Sequence, residues 1–386
     1  MKTTNGIGLY IHIPFCQSKC PYCDFHSARG TEEEMNEYLT ALNSEIAEKK
    51  RLKAFFNNNS IKDSTDLPTV NTVYIGGGTP SYFGGERIAA VIKAVKNAFN
   101  VALNAEITVE ANPQSAETVF FEKIIAQGAN RISLGLQSAV DSERRALGRL
   151  SGKEKAARAV KNAREAGFKN ISLDLMCAIP NQTVDSLKYS IDFCAQLEVE
   201  HISSYMLKIE ENTVFGKKIN DLALPDEDIQ CEMYLTMSDM LGKYGYRQYE
   251  ISNFAKVGFE SRHNINYWKC GEYLGIGPAS HSFLYGKRFF YPSNTKAFIN
   301  GYPPLFDCTG GTPEEFIMLA LRLTEGLKYS EYEDYFGELF PEIIKETAEK
   351  DIPKKYINIS RNGISLTKEG FLISNTVIGK LLDSIG

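Results

Sequence analysis

Short apolar, β-branched runs alternate with longer stretches of helical periodicity through the first half of the chain. Ile7–Ile13 reads as a strand. Residues 31–56 read as one long helix, opened by a capping box with Thr31 as N-cap and Glu34 three residues on. Polar residues 57–69 read as a surface insertion. A second strand spans 70–75, followed by a glycine-rich turn and a helix near 86–99. The third strand spans 106–110, with a helix after Pro113. The fourth spans 131–135 and leads into helical stretches over 142–166. The fifth spans 170–176 and precedes a helix over 184–197, and His201–Met206 is the sixth. This succession predicts a parallel sheet with right-handed crossovers. Six β–α units fall short of the eight of a closed TIM barrel. The expected fold class is therefore α/β, an open partial (β/α)6 barrel whose chemistry lies at the C-terminal ends of its strands.

The pattern changes after Asp226. A helix to Lys243 is followed by an irregular, aromatic-rich stretch to Tyr302. From Thr312 the chain predicts two or three helices and a hairpin, 357–360 and 364–366, around Arg361-Asn362-Gly363, where Asn-Gly favours a tight turn. A final helix follows Thr367. The expected division is a partial barrel over 1–225, a barrel-completing region over 226–311, and a small, mainly helical, winged-helix-like domain over 312–386.

With 386 residues, 43% of them hydrophobic, the chain can bury a sizeable core. A net charge of −5 argues against a general nucleic-acid binder, which needs surplus Lys and Arg to neutralise phosphates. No apolar run approaches the ~20 residues of a membrane helix. Residues 1–8 lack the basic-then-apolar profile of a secretory signal. A cytoplasmic protein is expected, so its 8 cysteines are expected to be thiols or metal ligands rather than disulfides.

Three of them form Cys16-Gln-Ser-Lys-Cys20-Pro-Tyr-Cys23, in the loop after the first strand. Thiolates are the usual protein ligands of iron–sulfur clusters. Three close cysteines can hold three irons of a [4Fe–4S] cubane and leave the fourth open to the amino and carboxylate groups of S-adenosylmethionine (SAM). A zinc site is the competing reading, with His12 or His26 as a fourth ligand. Cys177, Cys194, Cys231, Cys270 and Cys308 are scattered and read as ordinary thiols.

From Tyr10-Ile-His12-Ile-Pro-Phe-Cys16 through Cys23-Asp-Phe25 the chain resembles the radical SAM family of oxygen-independent coproporphyrinogen III oxidases and their paralogues, over nearly its whole length. The resemblance implies a SAM site. Gly76-Gly77-Gly78-Thr79-Pro80 matches the turn that meets the SAM amino group. Glu110, in Val-Glu-Ala-Asn-Pro, matches a carboxylate near SAM, and Gln137 ends strand four in Gly-Leu-Gln-Ser. Arg149 resembles the residue facing the SAM carboxylate, Asp174 the one on the ribose, and Tyr10 the tyrosine beside the cluster and SAM.

Within that family, true oxidases carry a fourth cysteine, C-x3-C-x2-C-x-C, where this chain has Phe25, and a longer N-terminal extension than the nine residues before Tyr10. Both departures resemble the heme-chaperone paralogues. So does His263-Asn264-Ile-Asn-Tyr267-Trp268, an H-N-x-x-Y-W pattern whose imidazole and aromatic rings suit heme contact. His281, in Gly-Ile-Gly-Pro-Ala-Ser-His, is a lesser candidate, with Ala279 and Ser280 interchanged relative to the family. Cys177-Ala178 also stands where Tyr-Gly is common. The resemblance implies heme as cargo and heme-requiring acceptor proteins as partners, and a peripheral membrane contact is compatible with it. The second reading is an enzyme, oxidative decarboxylation of coproporphyrinogen III to protoporphyrinogen IX.

Overall fold

Along each of the first six strands, residues alternate between an oily face and a polar one. The computed structural model describes residues 6–59, 67–149 and 151–385. In β1 (Ile7–Ile13), the side chains of Ile7, Leu9, Ile11 and Ile13 are buried in the core while Gly8, Tyr10 and His12 take the other face. The same period repeats in β2 (Val70–Gly77), β3 (Val101–Ala111), β4 (Arg131–Gln137), β5 (Ile171–Cys177) and β6 (His201–Met206). Val73, Ile75, Ile107, Val109, Ile132, Leu134, Leu173, Leu175 and Ile202 pack outward on the helical layer. Burying each such side chain is worth roughly 1.5–3 kcal/mol. The opposite face carries Thr72, Tyr74, Glu106, Glu110, Arg131, Ser133, Ser172, Asp174, His201, Ser203 and Tyr205. The inside of the half-barrel is thus polar.

Strands β1 to β6 pair in parallel and in sequence order. The helices between them, among them Gly85–Ala98, Lys153–Ala166 and Val184–Gln196, connect successive parallel strands. Residues 227–309, expected to be largely irregular after the first helix, extend both edges of the sheet. β7 (Arg247–Glu250) and β8 (Asn253–Ala255) join β6. β9 (Tyr273–Ile276) pairs in parallel with β1, and β10 (His281–Leu284), β11 (Lys287–Phe290) and β12 (Leu305–Thr309) follow antiparallel. The resulting 12-stranded sheet runs linearly from β12 to β7 and is not closed.

The expected long helix is two, Glu32–Glu48 and Lys50–Asn58, hinged at Lys49 with φ 52°. The buried Glu45 carboxylate explains the break. It accepts from Arg51 Nε at 2.8 Å and from the Leu52 backbone N–H at 3.3 Å, capping the second helix with a side chain. The Thr31/Glu34 capping box at the first helix forms as expected. The second helix takes residues 57 and 58 of the expected surface insertion, and residues 60–66 lie outside the described residues.

From Thr312 a helical region packs around a three-stranded antiparallel sheet of β13 (Leu327–Lys328), β14 (Ile357–Ser360) and β15 (Gly363–Leu366), in the order β13-β15-β14. Thr367 caps the helix Lys368–Leu372, and Ser374–Leu382 follows as a separate helix. Among the described residues, no helix is long and apolar enough to cross a membrane.

Candidate functional site

The cysteine loop leaves the C-terminal end of β1 and is tied at both ends. Cys16 N–H donates to Ala28 O and Ala28 N–H to Pro14 O, each at 3.0 Å. Its side is fastened to the glycine turn after β2: Thr79 N–H donates to Phe15 O at 2.7 Å, and Cys16 Sγ lies 3.3 Å from Thr79 Oγ1. Cys20 and Cys23 are bridged by a turn, Cys23 N–H to Cys20 O at 3.1 Å. All three thiols are half-buried. Burial pushes the Cys23 thiol pKa up, and the neighbouring Cys20 and Cys16 add to it.

The two histidines that would complete a zinc site are otherwise engaged. His12 Nε2–H donates to His26 O at 2.9 Å, so its Nδ1 accepts from Tyr10 OH, also at 2.9 Å. Burial lowers the His12 pKa to about 4 and keeps it neutral. His26 Nε2 lies 3.0 Å from Thr295 Oγ1. Among the described residues no three His, Cys, Asp or Glu side chains converge on a point suited to one metal ion. A cubane takes each thiolate on a different iron, and the three cysteines of this half-buried loop match that demand in number.

The glycines after β2 are demanded by their own neighbours. Gly77 sits at φ +106°, and a Cβ there would overlap the His12 imidazole. A Cβ at Gly76 would stand 2.7 Å from the Glu110 carboxylate, and one at Gly78 would lie 2.6 Å from Phe15 O. This close approach lets Gly77 N–H donate to Glu110 Oε2 at 3.1 Å, while Tyr74 OH donates to Oε1 at 2.7 Å. Glu110 is half-buried, and desolvation raises its pKa to about 7 despite these bonds.

Asp174, in mid-β5, accepts from Ser133 Oγ at 2.9 Å, and its pKa is likewise raised by burial. Arg149 reaches in from the segment after β4. Its Nη2 donates to Tyr22 OH at 3.2 Å, which ties it to the cysteine loop, and its Nε is buried with no partner among the described residues. Gln137 and Arg149 both stand over Gly135. Buried Arg131 interacts with Glu106 and Asp174. Three carboxylates, Glu106, Glu110 and Asp174, therefore face two guanidiniums, Arg131 and Arg149. Glu110 offers a carboxylate to a cation, and the Arg149 Nε offers an uncommitted donor to an anion.

Gly77, Gly78, Thr79, Glu110, Gln137 and Arg149 thus gather with Cys16, Cys20 and Cys23 at or beyond the C-terminal ends of the strands, and Tyr10 and Asp174 join them from mid-strand. His263 and Tyr267 lie one layer below them, His263 stacked on the Tyr74 that holds Glu110 and Tyr267 neighbouring Tyr10. Their helix, Arg262–Trp268, lies at the opposite end, beside Gly8, Thr72, Glu106 and Arg131 at or near the starts of β1 to β4. His263 is 1% exposed, with Nδ1 2.8 Å from Thr72 Oγ1 and Nε2 2.7 Å from Tyr267 OH, and its ring stacks on Tyr74. Glu106 accepts the backbone N–H groups of Arg262 and His263 at 3.0 and 3.1 Å. Burial lowers the His263 pKa to about 3. In this fold the His263 imidazole plugs the lower mouth of the half-barrel, with both of its nitrogens hydrogen-bonded. Trp268 lies under the Arg322 guanidinium, 5.5 Å from its ring centroid.

Sequence reasoning missed Tyr74, Tyr22, Ser133 and Arg131 as site partners. The available signal was the alternation itself, because a polar residue at every second position of a buried strand marks a lined interior.

The Radical SAM superfamily matches residues 10–194, and the HemN C-terminal domain matches residues 312–373. The chain is 36% identical to the heme chaperone HemW of Haemophilus influenzae, over 96% of this chain and 97% of that protein. It is 34% identical to the heme chaperone HemW of Bacillus subtilis (97% and 99% covered) and 33% identical to that of Escherichia coli (96% and 97%). Among solved structures, the fold is similar to coproporphyrinogen III oxidase (HemN) from Escherichia coli, with a TM-score of 0.80 at 21% identity, over 98% of this chain and 90% of that one.

Proposed function

This chain belongs to the heme chaperone HemW family, within the radical SAM superfamily, and from that premise we propose that it binds a [4Fe–4S] cluster, SAM and heme, and delivers heme to acceptor proteins. Cys16, Cys20 and Cys23 hold three irons. Tyr10, Gly77, Gly78, Thr79, Glu110, Gln137, Arg149 and Asp174 form the SAM pocket. Bound there, cluster and SAM supply a one-electron reductant beside a sulfonium.

The chain's own groups prepare the pocket. Glu110, held by Tyr74 and Gly77, is half protonated near neutral pH, and an arriving ammonium would draw it to carboxylate. The unpartnered Arg149 Nε suits a carboxylate, and Asp174 suits ribose hydroxyls. The His12 ring packed on Gly77 keeps water from behind the turn. In this reading residues 226–311 complete the barrel edges and residues 312–386 form the appendage. The cytoplasm suits it, since the three thiols stay reduced there.

The observation that carries the chaperone reading is the near full-length similarity to heme chaperones, joined to Phe25 at the position where oxidases carry a fourth cysteine. The test is heme transfer. The anaerobically reconstituted chain is loaded with one equivalent of hemin and mixed with a membrane fraction containing heme-free respiratory enzyme. Recovery of that enzyme's heme spectrum, faster than from free hemin at equal concentration, supports delivery. Equal rates with and without the chain refute it.

A further inference from the structure

The chain has five histidines, and four of them are committed within the fold. His12 and His263 have both ring nitrogens engaged, as does His201, whose Nδ1 is 2.8 Å from Ser172 Oγ and whose Nε2 is 2.8 Å from Tyr249 OH. His26 gives Nε2 to Thr295. His281 differs. It is exposed, its ring nitrogens have no hydrogen-bond partner among the described residues, and its ring stacks on Phe290 with centroids 5.3 Å apart at 23°.

Register places that ring on the working face of the sheet. Tyr10 pairs with Gly275, so β9 continues the polar interior of β1 through Tyr273 and Gly275. Tyr273 pairs with Phe283, and Phe283 shares its face with His281 two residues earlier. His281 in turn pairs with Phe290. Strand β10 runs antiparallel to β9, so His281 stands at its upper end, where Gly277 abuts His12 O. The cysteine loop reaches the same rim. His26 bonds Thr295, five residues after Phe290, and the adjacent Phe25 is 66% exposed.

We propose that His281, seated on Phe290 at the open upper edge of the half-barrel, is the axial ligand that holds the iron of the heme cargo. The proposal rests on the heme-carrying reading above. An imidazole with a free lone pair is one of the side chains that can hold ferric heme iron. It also needs aromatic surface for its macrocycle. The β10–β11 hairpin offers both, next to the cluster loop, whereas His263 has neither a free nitrogen nor an opening. A carrier must also release its cargo, and an exposed rim ligand gives the heme up without unfolding the barrel.

The test uses the full chain with its cluster reconstituted. Hemin is titrated into wild type, His281→Ala, His281→Gly and His263→Asn, followed by the Soret band and low-temperature electron paramagnetic resonance. Iron content and circular dichroism check each fold. The wild type is expected to bind stoichiometric hemin with a histidine-ligated spectrum. His281→Ala loses that signature and weakens binding at least tenfold, His281→Gly regains the signature with added imidazole, and His263→Asn keeps it. If wild type binds hemin and His281→Ala gives the same spectrum and affinity, the ligand assignment is overturned while the heme-carrying reading stands. If wild type binds no hemin, both fall.

Discussion

Replacing His263 by alanine separates a plug from a ligand. The substitution empties a fully buried site, removes a ring stacked on Tyr74, and strips Thr72 Oγ1 and Tyr267 OH of their partner. Truncating a buried aromatic ring costs about 3–5 kcal/mol, with a small, polar imidazole at the low end. Two hydroxyls left unsatisfied add about 1 kcal/mol each, partly relieved by rotation. The expected loss is about 3–5 kcal/mol. For a 386-residue chain melting as one unit, an unfolding entropy of about 2.1 cal/mol/K per residue converts this to a Tm lower by about 4–6 °C. The pH dependence adds a signature that packing alone lacks. The His263 pKa is about 3 in the fold against an ordinary 6.5. Below 6.5 the unfolded chain takes up a proton that the fold refuses, so wild type loses stability as pH falls toward 3. The alanine variant lacks that loss, and its deficit shrinks by about 2 kcal/mol between pH 8 and pH 5. Thermal melts by circular dichroism at the two pH values read both effects. A variant that melts within 1 °C of wild type (roughly the effect of 1 kcal/mol here) yet binds hemin poorly would refute the plug and return His263 to the ligand side.

Gly78→Ala pushes a Cβ into Phe15 O and Ile13 O, backbone atoms that no rotamer change can move, so the turn separates from the cysteine loop. It should lower reconstituted iron to less than half of wild type by colorimetric assay. Cys20→Ala should abolish the brown chromophore and most bound iron, whereas Cys194→Ala, at a buried thiol of the helix Val184–Gln196, should keep both. Glu110→Gln tests the raised carboxylate. Folded Glu110 keeps its proton up to about 7 against an ordinary 4.5, so wild-type stability falls as pH rises across that window. The glutamine variant should gain on wild type from pH 5 to pH 8 in SAM-free melts, and should bind SAM at least tenfold more weakly by calorimetry on the anaerobic holoprotein.

The parallel core was legible because its strands carry a two-residue period over most of their length between turn signals, and the Thr31 capping box is local in sequence. The edges were not. Strands β7 to β12 are three to five residues long, too short for periodicity to register. The hinge at Lys49 depends on Glu45 reaching across to Arg51, a side-chain cap that competes with a seemingly uninterrupted helical pattern. The cysteine loop, glycine turn and strand-end polar residues fall on one site because parallel strands bring all their C-terminal ends together. The position of His263 in the fold was not legible for the same reason. Its motif is equally consistent with a ligand or a buried His–Tyr pair four residues apart, and only the register beside Gly8 and Thr72 assigns it to the lower mouth.

Turnover of coproporphyrinogen III is the most direct test of whether this chain carries heme or makes its precursor. The cluster is reconstituted anaerobically, SAM, a reductant and coproporphyrinogen III are added, and products are separated by chromatography beside an oxidase control. A heme chaperone gives no decarboxylated product while the control turns over and the cluster stays intact. Protoporphyrinogen IX at several turnovers, lost in Cys20→Ala, would contradict it and make the chain an oxidase.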